Sequence, residues 1–283
     1  MPNNLGRDAL WNPNIWADLD KAVLDEVGRL RVAQKVFPSV GLANAPNVPA
    51  DEFRPGEMRI AEGRTKPFIE ISVEFSLTQS QVDSESTLHT GQALARMAAK
   101  SLALAEDTLL LQGNVDLPRN IKVLNKDSAE KGLLGASEGE IPVKGVVSGG
   151  NLFAAVTRGI AELNGKGEPG PYALILEPSI YAEAFAPLGS TLTTTADRLT
   201  PLLTGGFYSS GVLPKDTGFL VSLGGSPASI YVGRDAITAY TQEDKDGSYQ
   251  FRVFERVQFV VREGAAFVSL KFEAAGKTVA AKA

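Results

Sequence analysis

The sequence predicts an α+β fold, and three stretches carry that reading. Leu88 to Gln112 is rich in Ala, Leu, Lys, Arg, Glu and Gln, with Leu94, Ala98, Leu102, Ala105 and Leu109 stepping at helical spacing. Ile69, Ile71, Val73, Phe75 and Leu77 alternate with polar Glu70, Ser72, Glu74 and Ser76, the period of a strand with one buried face. The last third, from Phe219 to Phe272, is a run of β-prone segments separated by turn residues.

Residues 1–14 read as a short polar arm, with Leu10 and Trp11 near its end. Asn12-Pro13-Asn14 signals a helix start, and Ile15, Trp16, Leu19, Val23, Val27 and Leu30 carry one helix on to Val36, where Pro38 stops it. Ser39 to Pro67 is punctuated by Pro38, Pro46, Pro49, Pro55 and Pro67, and no periodic stretch in it could bury a face alone. Phe53, Met58 and Ile60, separated by charges, favour an extended arm that rests on a neighbour. In the long helix Thr87 and Thr90 are candidate N-caps and Gly113 a C-terminal stop, with Arg96, Lys100 and Glu106-Asp107 off the apolar stripe.

Asn114 to Gly132 reads as an irregular surface excursion. Ser148 precedes a helix from Leu152 to Leu163, Tyr172 to Leu176 is a buried strand, and Pro178 opens a short helix. Gly189 to Asp197 is small, hydroxyl-rich and expected to be an exposed loop. Ser229 to Val232 and Ala236 to Thr241 read as two strands, followed by a turn at Glu243 to Gly247, a long strand from Tyr249 to Val261, and another from Ala266 to Phe272.

Composition narrows the chemistry. The chain has 283 residues, a net charge of −5, no cysteine and one histidine. Disulfides, thiolate nucleophiles and Cys-held metals are excluded, and a His-based triad or metal site would rest on His89 alone, for which a solvated or capping role is expected. The acidic balance argues against a nucleic-acid groove. No apolar run approaches ~20 residues, so no membrane partner is expected and the chain is read as cytoplasmic. Gly165-Lys166-Gly167 lacks phosphate-loop spacing. Asp244, Asp246, Ser248 and Glu255 fall at calcium-loop offsets, but Tyr249 stands where that loop needs glycine. Glu106 and Asp107, adjacent on a helix, diverge and make poor acid/base partners. No catalytic set emerges, and neither a metal nor a cofactor is implied.

The order of parts, however, resembles HK97-type capsid proteins. Asn3-Asn4-Leu5 with Arg7-Asp8, then Trp16 and Leu19-Asp20, is similar to encapsulins, the compartment shells once called linocin-like. So are Val73 to Leu77 running on to Val82-Asp83, Lys131-Gly132-Leu133-Leu134, and Gly170-Pro171-Tyr172-Ala173-Leu174. The most specific pieces are Gly224-Gly225, Val232-Gly233-Arg234-Asp235 with Ala239-Tyr240, Arg252-Val253-Phe254-Glu255 with Val257-Gln258-Phe259, and Leu270-Lys271-Phe272.

The resemblance implies an N-terminal arm and helix (1–38), an extended E-loop (39–67), a P-domain with a long spine helix (68–132 and 229–272), an A-domain (133–228) and a flexible tail (273–283). It implies a structural role without catalysis: a homo-oligomeric icosahedral shell of about sixty copies or more. The shell would enclose a cargo enzyme, ferritin-like, peroxidase or similar, bound through its C-terminal peptide. Ile15, Leu19, Val23, Phe254 and Phe259 are the expected cargo-peptide groove. Leu188, Gly189, Ser190, Thr191, Leu192, Thr193, Thr194 and Thr195 are the expected pore loop, and Phe53, Met58 and Ile60 the inter-subunit contacts. Only about a dozen residues precede the first helix, which favours a compartment over a virus. A viral or prophage capsid protein, or an enzyme of unrecognised type, are the alternatives.

Overall fold

In a computed structural model describing residues 5–43, 45–54, 59–61, 63–145, 147–188 and 192–273, the chain divides into two units. The first holds residues 1–132 and 229–260, the second 133–228 and 261–283. Unit 1 contains α1 (Pro13–Leu30), α2 (Ala33–Val36), β1 (Ser39–Gly41), β2 (Asn47–Pro49), β3 (Glu52–Arg54), β4 (Arg59–Ala61) and β5 (Thr65–Pro67). It continues through β6 (Ile69–Thr78), α3 (Gln79–Asp83), α4 (Glu85–Leu88), α5 (Thr90–Gln112) and β7 (Ile121–Leu124). After α6 (Gly132–Ala136), unit 2 runs through β8 (Gly139–Val143), α7 (Gly149–Gly165), β9 (Tyr172–Leu176), α8 (Pro178–Glu183), α9 (Thr195–Leu199), β10 (Gly206–Ser209) and β11 (Thr217–Ser222). The long strands β12 (Ala228–Glu243) and β13 (Ser248–Val261) serve unit 1, and β14 (Phe267–Phe272) returns to unit 2.

Unit 1 is a five-stranded sheet ordered β1-β12-β13-β6-β7, with α5 packed on β6 and α1 packed on α5. The small side chains of Ala95, Ala98, Ala99 and Ala103 let Val23 and Val27 of α1 and Ile69, Ile71 and Val73 of β6 close onto the same helix. The Asn12 side chain accepts N–H bonds from Asn14 at 2.9 Å and Ile15 at 3.2 Å, and Pro13 occupies the first helical turn of α1. Trp11 stacks on Phe251 at 5.0 Å, and Phe251 stacks on Phe75 at 5.3 Å. Arg7 pairs with Asp20 at 2.7 Å and donates to the Thr238 carbonyl, which fixes the N-terminal arm on β12.

Several sequence expectations are corrected here. The expected helix from Ile15 to Val36 breaks at Arg31-Val32. Asp107 of α5 accepts the Val32 N–H at 2.8 Å and the Ala33 N–H at 2.9 Å, so a side chain from another helix caps α2. Glu106 and Asp107, expected to lie off the stripe, are both buried. The N-cap of α5 is supplied neither by Thr87 nor by Thr90. Glu85, buried, accepts from Gly91 at 2.6 Å and Gln92 at 2.9 Å, and His89 makes the left-handed turn between them.

The two strands expected in 228–243 are one. Gly233, which reads as a break, instead lets the Phe68 ring approach, since a Cβ there would sit 3.0 Å from it. Residues 114–132 are not wholly irregular: β7 pairs antiparallel with β6. The excursion closes where Asn114 N–H meets the Glu130 carbonyl at 2.8 Å, and Gly113, at φ 86°, has no room for a Cβ, which would stand 2.4 Å from that carbonyl oxygen.

Unit 2 is a second five-stranded sheet, ordered β10-β9-β11-β14-β8. Leu152, Val156 and Leu163 of α7 pack on Ile141, Leu220, Val268 and Leu270, and Ser148 caps the helix, which therefore starts at Gly149 rather than at the expected Leu152. The strand near the C-terminus pairs with β11 and β8. The sequence boundary that kept 229–272 together therefore differs from the structural division at residue 260. Alternation shows that a segment is a strand, not which sheet it enters.

Gly113→Ala should cost roughly 2–4 kcal/mol, read as a lowered denaturation midpoint, because it adds both left-handed strain and a backbone clash. A second expectation concerns pH. Burial raises the Asp107 carboxyl to about 7, although the Val32 and Ala33 N–H groups favour its ionised form. An acid with a raised folded pKa contributes stability that is full below its unfolded value, ~4, and is lost as pH rises through the folded one. Relative to Asp107→Asn, the native chain should therefore lose stability between pH ~4 and ~7, measured by denaturant titration across that window.

Candidate functional site

The sequence expectations direct attention to two surfaces and to the arm. The first is a pocket of about 140 Å³ beside the start of α1, floored by Ile15 and Leu19 and rimmed by Asn12, Asp18, Ser86, His89 and Gln92. That volume suits one branched aliphatic side chain, and the rim offers polar partners for a backbone. Of the five residues expected to form a groove, Ile15 and Leu19 meet here. Leu19 is almost wholly buried against Trp16, Leu77 and Phe251, so it supplies only an edge. Val23 is fully buried between α1, α5 and β6.

The two phenylalanines lie elsewhere. Phe254 is covered by the guanidinium of Arg252 at 4.2 Å, and Phe259 packs on Phe37 at 5.1 Å. Helical and strand periodicity mark these residues as inward-facing but do not tell core from groove.

The second surface is the loop after α8 in unit 2. Leu188 N–H bonds the Thr193 carbonyl at 3.1 Å, and Pro187 bridges to Thr194, so the two ends of the loop are held together. Leu192 is 97% exposed. Gly189, Ser190 and Thr191 lie outside the described residues. Thr194 and Thr195 do not belong to the open part. Thr194 forms a reciprocal capping box with Asp197 at the start of α9, and Thr195 is buried in the first turn of that helix. A hydroxyl-rich run reads as loop, yet the same T-x-x-D pattern is a helix start.

The third feature is the arm. At its base β2 pairs with β5, and Val48 is buried against Phe68 and Val260. Beyond that base β3 and β4 pair only with each other, in a two-stranded sheet joined to no other described strand. Ile60 stands 50% exposed there. Phe53 lies on β3, and Met58 falls outside the described residues. Among the described residues no group of metal-ligating side chains converges, and no helix is long and apolar enough to cross a membrane.

The residues that sequence reasoning missed are Arg31, Glu106 and Glu255. They form a buried charged group in unit 1, where Arg31 pairs with both carboxyls. Charged residues in an amphipathic pattern normally mark the wet face, and nothing in the sequence separates these from that case.

The architecture and these surfaces can be set beside known proteins. Residues 3–258 match the family model Linocin_M18, described as an encapsulating protein for peroxidase. The chain is 27% identical over 300 residues to a type 1 encapsulin shell protein, EncA, of Myxococcus xanthus, covering 98% of this chain and 99% of that one. Its fold is similar to a virus-like particle protein from Pyrococcus furiosus, with a TM-score of 0.71 and 15% identity over 90% of this chain and 99% of the other. It is also similar to the shell of the SrpI encapsulin complex from Synechococcus elongatus, with a TM-score of 0.59 and 11% identity over 84% and 86%. The chain has the HK97-type capsid fold and, matched along nearly its whole length, belongs to the encapsulin family of shell proteins.

Proposed function

We propose that copies of this chain close into an icosahedral compartment within the cytoplasm, and that its role is enclosure rather than turnover. The observation that carries this reading is the β3–β4 hairpin. An isolated two-stranded hairpin is marginal in water, and this one, with Ile60 half exposed, is joined to no other described strand. A neighbouring copy supplies the missing surface. The anchored base, with Val48 buried in its own subunit, aims the hairpin without covering it. Heterologous contacts of this kind close into shells when the rotation between copies closes.

In the same reading the pocket beside α1 receives one aliphatic side chain from the C-terminal peptide of a cargo enzyme, and the Leu188–Thr193 loop borders an uncharged opening. Burying one such side chain is worth about 1.5–3 kcal/mol, a tenfold or greater effect on binding.

Ile60→Asp should shift the protein from large assemblies to single chains or small oligomers in analytical ultracentrifugation, with an unchanged circular dichroism spectrum. Assembly as large as that of the native chain would contradict the role given to the hairpin. For the pocket, Ile15→Asp should reduce co-purified cargo about tenfold or more while shells still form. Leu19→Asp is the wrong probe: a carboxylate at that buried site should cost several kcal/mol and prevent folding. Full cargo retention by Ile15→Asp would place the peptide elsewhere.

A further inference from the structure

The joint between α1 and α2 contains more acid than its one guanidinium can neutralise. Arg31, whose side chain is 4% exposed, pairs through Nε with Glu106 of α5, through Nη2 with Glu255 of β13, and through Nη1 with Asp235 of β12 at 2.9 Å. Glu106 and Glu255 are fully buried, whereas Asp235 is 55% exposed. From α2, Gln34 donates to Glu106 Oε1 at 2.7 Å. Asp107, the remaining charged group at the joint, is taken up by the Val32 and Ala33 N–H groups.

Glu106 and Glu255 are thus neighbours on one buried guanidinium. Glu255 Oε1 is buried without a hydrogen bond from any described N–H donor, whereas Glu106 Oε2 faces Arg31 Nε. Two buried ionised carboxylates against one guanidinium repel each other, which favours a proton on one of them.

We propose that Glu106 and Glu255 share a single proton carried on Glu255, and that its loss to solvent at alkaline pH loosens the α1–α2 joint from the spine helix. Glu255 is the carrier because Gln34 donates to Glu106 and so favours the ionised form there. Burial pushes the Glu255 carboxyl well above the usual carboxylate range, the Glu106 carboxylate pushes it further, and Arg31 only partly opposes both. With the proton in place the core of the group is Arg31⁺, Glu106⁻ and neutral Glu255, a balanced pair with one neutral donor. Deprotonation leaves two buried carboxylates against one guanidinium, and the repulsion falls on the residues that end α1 and begin α2. The sign follows: a carboxyl with a raised folded pKa contributes stability that is present at low pH and lost as pH rises through that pKa.

The test uses the full-length chain and Glu255→Gln, whose amide donates permanently to Glu106 while its oxygen accepts from Arg31. Apparent melting midpoints are measured from neutral to alkaline pH, together with the infrared carbonyl band of protonated carboxyl groups. We expect the native midpoint to fall with rising pH, and the fall to shrink by half or more in Glu255→Gln. The variant should then lie roughly 4 °C or more above the native chain at the alkaline end. At neutral pH the protonated-carboxyl band should be stronger in the native protein than in the variant, Asp107 contributing to both. Asp235→Asn should leave both band and slope in place. If Glu255→Gln does not fold, Glu106→Gln removes the shared proton from the other side and is read in the same way. A native profile retained in parallel by the Gln variant, or a band of unchanged strength in it, overturns the proposal.

Discussion

Glu106 and Asp107 sit side by side on α5 and meet the chain where α1 turns into α2. The rest of unit 1 depends on that meeting. Asp107 takes two backbone N–H groups that an unbroken helix would have used internally, and Glu106 draws Arg31 inward. Adjacent residues on a helix point about 100° apart, so one reaches the backbone of α2 while the other reaches Arg31 and β13. The divergence that makes them poor partners for acid/base work makes them good anchors for two different targets. Removing one partner from such a buried group is strongly destabilising, while the intact group gives specificity more than net stability. It fixes where α1 ends and how it lies on α5. The small side chains of Ala95, Ala98, Ala99 and Ala103 then set how close the helix comes.

How much of this was legible depended on whether the signal was local. The α+β class, the long helix and the strand Ile69–Thr78 follow from period alone, as does α7 beyond its first turn, because each is written in residues a few positions apart. The break at Arg31-Val32 was not legible, since its cause is a carboxylate 75 residues away. The same holds for the cap of α5. Thr87 and Thr90 were the nearest hydroxyls, but a left-handed residue at His89 allows Glu85 to fold back onto the helix end. The missed strand β7 is short, and its outer face carries exposed Leu124 beside Lys122, which reaches Glu74 at 2.6 Å. Only its pairing with β6 identifies it.

The candidate surfaces show the same limit more sharply. Ile15 and Leu19 were found because they recur at helical spacing, yet Val23 shares that spacing and is core. Phe254 and Phe259 are apolar residues on opposite faces of one strand, and both faces are covered. In a thin unit where a helix pair and a sheet bury nearly everything between them, apolar pattern reports burial, and a groove is only what burial leaves over. The proline spacing of the arm and its lack of a repeating apolar face mark it as a segment without its own core; in the structure Val48 holds its base, and β3–β4 join no other described strand.

A shell protein's fold and its assembly are separate achievements, and in the proposed function the hairpin is where they meet. The most direct measurement is electron cryomicroscopy of the purified native protein. Closed hollow particles in which β3–β4 of each copy lies on a neighbouring copy, with Ile60 covered, are the predicted result. Single compact chains, or particles in which the hairpin folds back onto its own subunit, would contradict it.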